Sequence, residues 1–342
     1  MTNQTVIVTG GAGYIGSHVC KALSEAGYQP VCYDNLATGH RYAVRWGPVE
    51  IGDVRDRRRL AEVFDRYRPA AVLHFAAFAY VGESVVDPEK YYDNNVMGSL
   101  HLLAAMHACG IPRIVFSSTC ATYGNTSSRP IDEDTPQYPV NPYGTGKLLV
   151  ERAILDYCAA YGMKAMVLRY FNACGADSAG EIGEHHDPET HLIPCAIKTA
   201  RGEVDVLKVF GTNYRTEDGT CIRDYIHVTD LADGHVRALE HLLDGGPTCA
   251  LNLGTGLGVS VRQIIRGVER VSGRSIRVEE VAPRPGDPAV LVADPRRARE
   301  VLGFRARYTD IGESIASAWR WHDREVGAKY HAPDAIEESH DA

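Results

Sequence analysis

A chain of 342 residues, 44% of them apolar, can bury a substantial core as one large domain or as two lobes. Its formal charge of −8 argues against a non-specific nucleic-acid binder, which would carry a clustered basic surface. The nine cysteines are scattered and never form a Cys-x-x-Cys pair, which fits free thiols in a reducing compartment rather than a disulfide framework or zinc site.

In chain order, "TVIVTG" (5–10) reads as a buried strand and "YIGSHVCKALSEAG" (14–27) as a helix ending at Gly27. Strands follow at 29–34 and 48–53, then a helix at 57–67. Its basic run "RDRRRL" (55–60) sits among Asp53, Asp56, Glu62 and Asp65 and reads as a solvated helix face. A strand at 70–77, a helix at 89–110 and a strand at 113–119 come next. Asn141 is a natural N-cap and Pro142 suits a first helical position, so a helix starts there and leads to a strand at 164–171. Strands alternating with helices imply a parallel sheet covered on both faces.

Beyond residue 172 the alternation weakens, with irregular stretches at 172–190, 211–223 and 282–294. The expected organisation is α/β: a Rossmann-type doubly wound domain over 1–172, to which 224–254 returns, and a smaller lobe over 173–330. Residues 331–342 are polar and acidic and read as a loose tail. No apolar run approaches membrane-spanning length, and the N-terminus leads straight into a strand-like segment instead of a signal peptide. A cytoplasmic protein is expected.

"TGGAGYIG" (9–16) joins the first strand to the first helix. Gly11, Gly13 and Gly16 satisfy Gly-x-Gly-x-x-Gly, and Gly10, Gly13 and Gly16 fit Gly-x-x-Gly-x-x-Gly. Such glycines allow a tight turn and bring a pyrophosphate against free N–H groups of a helix N-terminus. Asp34 ends the second strand, where a carboxylate accepts bonds from an adenosine ribose and repels a 2′-phosphate. NAD is therefore favoured over NADP. Asp53, ending the third strand, reads equally as an adenine contact or as a helix cap.

"NPYGTGK" (141–147) places Tyr143 one helical turn ahead of Lys147, on the same face. Gly144 and Gly146 each cost that helix about 1 kcal/mol relative to alanine, which a purely structural helix has little reason to accept. "FSSTCATYG" (116–124) ends a strand on the edge where ligands of open α/β sheets bind, and offers Ser117, Ser118 and Thr119 to a substrate hydroxyl.

With "RYFN" (169–172), "RDYIHV" (223–228), "YDNN" (92–95) and "NLGTG" added, the chain resembles the extended short-chain dehydrogenase/reductase superfamily, and within it the UDP-glucose (UDP-galactose) 4-epimerase family. The resemblance runs from about Val6 to His322. It implies that Tyr143 exchanges a proton with the sugar 4-hydroxyl, that Thr119 shares that hydrogen bond, and that Lys147 anchors the nicotinamide ribose. Tyrosine, with an ordinary pKa of about 10, needs its anion stabilised to work at neutral pH. Lys147 and the oxidised nicotinamide are expected to do that. Around NAD the resemblance also implies Gly10, Gly13, Tyr14, Ile15, Gly16, Asp34, Asn35, Asp53, Val54, Phe75, Ala76, Ala77, Asn94, Ser117 and Tyr170. Around the UDP-sugar it implies Asn172, His191, Leu192, Phe210, Arg223, Arg284, Asp287 and Leu291.

Related 4,6-dehydratases carry an acidic residue after the Ser/Thr; here Cys120 and Ala121 follow, which disfavours that chemistry. Two arginines suit a diphosphate, because a guanidinium binds such oxygens through two bonds at once. The plain alternative for Arg223 is an ion pair with Asp224. "GEHHDPETH" (183–191) invites a metal reading, but proline interrupts it and no His-Glu-x-x-His spacing appears, so no metal is expected. Leu291 stands where relatives carry either tyrosine or a small residue, which leaves N-acetylated sugars open. Ala79 in "FAAFAYVGES" also suits UDP-xylose/UDP-arabinose 4-epimerases; a hexose is favoured. An NAD-binding scaffold without catalysis is disfavoured because Tyr143, Lys147 and Thr119 are all present. The family also implies a homodimer through the helical stripes at 99–110 and 147–162.

Overall fold

The computed structural model describes residues 4–126, 130–284 and 287–323; the expected tail at 331–342 lies outside the described residues. The first half of the chain forms β1 (Thr5–Thr9), α1 (Tyr14–Glu25), β2 (Gln29–Asp34), β3 (Val49–Ile51), α2 (Arg57–Tyr67) and β4 (Ala71–His74). Then come α3 (Val81–Val86), α4 (Pro88–Tyr91), α5 (Gly98–Ala108), β5 (Arg113–Thr119), α6 (Pro142–Tyr161) and β6 (Lys164–Tyr170). The second half supplies β7 (Asn172–Cys174), α7 (Leu192–Ala200), β8 (Leu207–Phe210), β9 (Ile222–His227), α8 (Val228–Leu243) and β10 (Cys249–Leu253). It closes with β11 (Gly258–Ser260), α9 (Val261–Ser272), β12 (Val278–Val281), β13 (Val290–Leu291), α10 (Arg296–Leu302) and α11 (Ile311–Asp323).

Seven strands form one parallel sheet in the order β10-β6-β5-β4-β1-β2-β3. Successive strand residues face opposite sides, so each apolar strand serves two cores. Val6 and Val8 join Val115, Met166 and Leu168 beneath α1 and α8. Ile7 joins Val72, Ile114 and Phe116 beneath α2, α5 and α6. The doubly wound Rossmann-type architecture follows. The chain winds outward in opposite directions from β1 and from β4, which leaves a crevice at their carboxyl ends.

The later segments build a second body. β9 sits in a four-stranded sheet with β7, β11 and β13, and β8 pairs with β12. A third core of Ile197, Val209, Tyr225, Ile264 and Ile315 lies under α7, α9 and α11.

Residues 89–110 are not one regular helix. Between α4 and α5 the backbone makes a π-helical turn at Tyr92–Met97. Such a turn inserts an extra residue and re-aims side chains. Here the Asn95 amide bonds both the N–H and the carbonyl of Phe78, each at 2.9 Å, pinning the loop after β4. The short helix α3 is not expected from its valine-rich sequence.

Four histidines, His18, His74, His227 and His235, are buried. Burial lowers their pKa values to about 4, 3, 3 and 4. The unfolded chain takes up these protons near pH 6.5, so the stability due to neutral burial is full above 6.5 and lost as pH falls toward 4. Linkage gives about 2 kcal/mol per histidine lost at pH 5. The melting temperature is accordingly expected to drop steeply between pH 6.5 and 5. His235→Leu, between the rings of Phe75 and Tyr170 at 4.7 and 5.8 Å, is expected to flatten that slope. Equal melting temperatures at pH 7 and pH 5 would contradict this.

Candidate active site

β1, β2, β4, β5 and β6 run parallel, so the expected residues at their carboxyl ends open onto one edge of the large sheet. The loop after β1 runs tightly into α1. A Cβ on Gly16 would lie 2.1 Å from the Gly10 carbonyl oxygen, so the turn cannot close with any other residue. Gly13 is different: a Cβ there would meet only the Gly10 oxygen, at 3.4 Å. The protein's own packing does not demand this glycine, whose bare face lines a cleft. Gly13 caps α1 without a side-chain bond, and no acidic residue occupies the first turn. The helix end thus presents uncapped N–H groups and positive potential to an anion.

The cleft is lined by Gly10, Gly13, Asp34, Asn35, Val54, Phe75, Ala76, Ala77 and Asn94, and also by Tyr33, Thr38, Gly39 and Phe78, which the sequence reading missed. Tyr33 lies in β2, while Thr38, Gly39 and Phe78 sit in the loops after β2 and β4, which only the fold brings inward. Asp34 is buried and accepts N–H bonds from Ala12 at 3.0 Å and Leu36 at 2.8 Å, locking it beside the glycine loop. Asp53 does not cap α2; Asp56 does, accepting from Arg59 N–H. Arg55 and Asn35 grip the Asp53 carboxylate at the rim, and the Arg55 guanidinium, the larger cause, holds its pKa down to about 2. The Tyr14 hydroxyl turns away to donate to Gly175 O at 2.6 Å, while Ile15 packs on the core.

The reaction-centre candidates meet where β5 ends. Asn141 accepts the Gly144 N–H at 2.8 Å and starts α6 as expected. A Cβ on Gly144 would lie 2.6 Å from Ala121 O, so this glycine lets α6 approach the turn after β5. That approach brings the Tyr143 phenol beside Thr119. Lys147 is buried; its ammonium donates to Ser117 O at 2.8 Å and lies 5.9 Å from the Tyr143 ring centroid. The Ser117 hydroxyl makes a short bond to the Tyr170 hydroxyl.

Burial pushes the Tyr143 phenol up to about 12, with Thr119 acting against the shift. Burial also brings Lys147 down to about 7, so its own charge is weakened near neutrality. The chain alone does not make Tyr143 a base.

Behind these groups lies a buried polar network that the sequence reading missed. Glu151 accepts from Ser118 in a short bond, from Gln137 at 3.0 Å, and from Arg169 at 2.7, 3.1 and 3.2 Å. Arg169 also donates to the Tyr123 hydroxyl at 3.0 Å. A legible signal existed: Glu151 falls one turn after Lys147 on the same face of α6. Cys120, after Thr119, is buried with its thiol pushed up to about 12, so no proton carrier follows Thr119.

Across the crevice, Asn172 opens β7 and Leu192 opens α7, with His191 at the cap position. The Arg284 guanidinium lies 4.1 Å from the Phe210 ring centroid. Arg223 pairs with Asp287 at 2.5 Å and not with Asp224. Asp224 instead accepts from Thr255, Gly256 and Ala293. Leu291 pairs with Arg223 across β13 and β9 and packs with Cys120, Tyr123, Ile131 and Phe171. The rejected metal motif also gathers: Glu184, His186, Glu189 and His191 bring their ligating atoms within 4.8 Å of one another.

A glycine-loop dinucleotide cleft beside a Thr–Tyr–Lys set defines a short-chain dehydrogenase/reductase-type enzyme, and the profile of the NAD dependent epimerase/dehydratase family matches residues 6–254, so the chain belongs to that family. Its UDP-glucose 4-epimerase relative from Rhizobium leguminosarum bv. trifolii is 56% identical over 322 residues, 94% of this chain and 98% of that one. The crystal structure of UDP-glucose 4-epimerase from Brucella ovis in complex with NAD superposes with a TM-score of 0.91 at 55% identity, covering 93% and 98% of the two chains. That of the Stenotrophomonas maltophila enzyme, with bound NAD and formylated UDP-arabinopyranose, gives 0.91 at 39% identity over 95% and 99%. Within the family, this chain takes its place among the UDP-glucose 4-epimerases.

Proposed function

We propose that this enzyme, an NAD-dependent UDP-sugar 4-epimerase, interconverts UDP-glucose and UDP-galactose through a 4-keto intermediate, with Tyr143, Thr119 and Lys147 as its reaction centre. The observation that carries this reading is the meeting of those three side chains at the end of β5, next to a cleft suited to a dinucleotide. The cleft fits NAD: Gly13 leaves room that packing does not require, the α1 N-terminus is open to a pyrophosphate, and Asp34 is fixed where a ribose would lie and a 2′-phosphate would be repelled. Bound NAD supplies reversible two-electron oxidation at the sugar C4.

The chain's residues supply the rest. Thr119 is assigned to share the hydrogen bond of the sugar 4-hydroxyl with the Tyr143 phenol, beside which it lies. Since burial alone keeps that phenol protonated, Tyr143 becomes a base only when a positive charge arrives beside it, which couples proton removal to the presence of oxidised cofactor. Lys147, anchored on Ser117 O, is placed to hold the ribose hydroxyls. Arg223 and Arg284 are assigned to the diphosphate, Phe210 and Leu192 to the base, and Asn172 and His191 to the nucleotide's edge. Asp287 holds Arg223 in place until phosphate competes for it. Residues 1–172 with 224–254 are assigned to the NAD lobe and 173–330 mainly to the UDP-sugar lobe. Support comes from β10 joining the large sheet and from the separate core under α7, α9 and α11.

The test is incubation of the purified protein with UDP-galactose, following the product by NMR. Expected are UDP-glucose, copurified NAD rather than NADP, and no net NADH. NADP(H) as the main bound nucleotide would remove Asp34 from its role.

The relative that holds an arabinopyranosyl nucleotide favours a pentose side activity as a second reading. Leu291 is assigned the gate beside C2. Apolar bulk of one or two methylenes is worth about 1–3 kcal/mol. Leu291→Ser is therefore expected to raise turnover of UDP-N-acetylgalactosamine relative to UDP-galactose by about tenfold or more. An unchanged ratio would remove Leu291 from that role.

A homodimer is also proposed. Leu102, Leu103, Met106, Val150 and Ile154 are spent on the chain's own core, whereas Met97, Leu149, Leu155 and Tyr161 stay exposed near α5 and on α6. An apolar face of that kind suits a two-fold helix bundle. Light scattering at micromolar concentration is expected to give twice the chain mass; a monomer mass would count against it. Among the described residues no helix is long and apolar enough to cross a membrane.

A further inference from the structure

We propose that Glu184, His186, Glu189 and His191 form a tetrahedral site for a divalent cation, with Zn²⁺ as the best-fitting ion, that clasps the loop before α7 to that helix's N-cap residue. The site is separate from the chemistry at Tyr143 and does not rest on the sugar assignment.

Geometry comes first. His191 Nδ1 lies 2.9 Å from Glu189 Oε1 and 3.1 Å from Glu184 Oε1. His186 Nδ1 lies 3.5 Å from Glu184 Oε1 and 3.5 Å from Glu189 Oε2. Four ligands about 2.1 Å from a central ion, at tetrahedral angles, stand roughly 3.4 Å from one another. These four nitrogen–oxygen spacings bracket that edge length, and one ligating atom from each of the four residues lies within 4.8 Å of the others.

The unmet bonding points the same way. His186 Nδ1 is buried and makes no hydrogen bond, although two carboxylate oxygens face it. The Glu184 and Glu189 side chains are only 5% and 3% exposed. Among the described residues neither pairs with a lysine or arginine; their only cationic neighbours are the two imidazoles. A dication would satisfy that concentrated negative field.

The loop also selects its ligands. His185 turns away, its Nδ1 2.9 Å from the Tyr42 hydroxyl and its ring stacked 4.1 Å from that of His40. Two nitrogens and two carboxylate oxygens suit Zn²⁺, and four protein ligands leave no open position, which marks a structural rather than a catalytic ion. The site adjoins the crevice: the Tyr80 ring lies 6.1 Å from both imidazoles, and the Tyr14 ring 6.3 Å from that of His186. A bound ion would hold the 184–191 loop against the crevice wall.

The experiment strips the holoenzyme with a chelator and titrates it with Zn²⁺ alone by calorimetry, then with Co²⁺ under visible absorption. Expected are one equivalent of Zn²⁺, a melting temperature raised by the ion, and the Co²⁺ bands of a tetrahedral nitrogen–oxygen site without thiolate charge transfer. Losing an outer-shell partner costs ~10- to 100-fold in metal affinity, so removing a ligand in Glu189→Gln or His186→Gln should weaken binding about 100-fold or more. Two variants are used so that misfolding of one, checked by circular dichroism, leaves the other to decide. The proposal is overturned if wild type binds no stoichiometric ion, if Co²⁺ shows thiolate bands from the free cysteines, or if a folded variant binds as wild type does.

Discussion

Tyr143→Phe is expected to bind the UDP-sugar normally and to lose epimerisation by about 10²- to 10⁴-fold, the range a positioned general acid–base group contributes. The substitution removes one oxygen and keeps the ring, which starts α6 and faces the Lys147 ammonium at 5.9 Å. Thr119 would keep its bond from Ala121 N–H at 3.1 Å, so the turn after β5 would stand. Lys147 would keep Ser117 O. What disappears is the phenol oxygen that lies beside Thr119. The loss should therefore fall on kcat, with KM little changed, because the missing contact matters where the proton moves. Steady-state kinetics with UDP-galactose check this, and near-normal kcat in a folded variant would remove Tyr143 from the mechanism.

The second large effect is on stability. Glu151→Ala would leave the Arg169 guanidinium buried without its carboxylate, at an expected cost of about 3–5 kcal/mol. Glu151 and Arg169 side chains are 3% and 8% exposed, so water cannot substitute. Arg169 would retain the Tyr123 hydroxyl and a longer bond to Glu133 O at 3.4 Å, both neutral acceptors. Replacing both members by apolar residues, Glu151→Leu with Arg169→Met, should restore most of the loss, because the penalty belongs to the unpaired charge rather than to the site. Urea unfolding of the three proteins measures this. A Glu151→Ala variant within about 1 kcal/mol of wild type would mean that the pair is not doing what its burial implies.

These two variants also separate what was legible in the sequence from what was not. The Tyr143–Lys147 spacing, the Asn141 cap and the glycine loop are local: each is a short-range pattern whose consequence is fixed within one or two helical turns. They emerged as read. The Glu151–Arg169 pair joins α6 to β6, and only the parallel register of β5 and β6 brings it beside Ser118. The π-helical turn at Tyr92–Met97 escaped for a similar reason, since it is tied to Asn95 holding the loop after β4. Arg223 and Asp224 are adjacent in a strand and face opposite sides, so the ion pair weighed as the plain alternative for Arg223 could not form. Its partner Asp287 arrives from a segment more than sixty residues later. The carboxylates and imidazoles of 184–191 likewise have no helical spacing, and converge through the loop that leads to the α7 N-cap.

Tyr143's elevated pKa in the chain alone refines the chemical account. Burial brings Lys147 down to about 7, and its ammonium donates to Ser117 O.

The central claim is that the C4 hydrogen leaves and returns within one enclosed site. The most direct measurement uses UDP-galactose deuterated at the sugar C4, incubated with the purified enzyme in ordinary water and resolved by NMR. The account predicts UDP-glucose with deuterium retained at C4 and no exchange with solvent. Protons from water appearing at C4 of the product, or galactose returned unchanged by an enzyme that holds NAD, would contradict it.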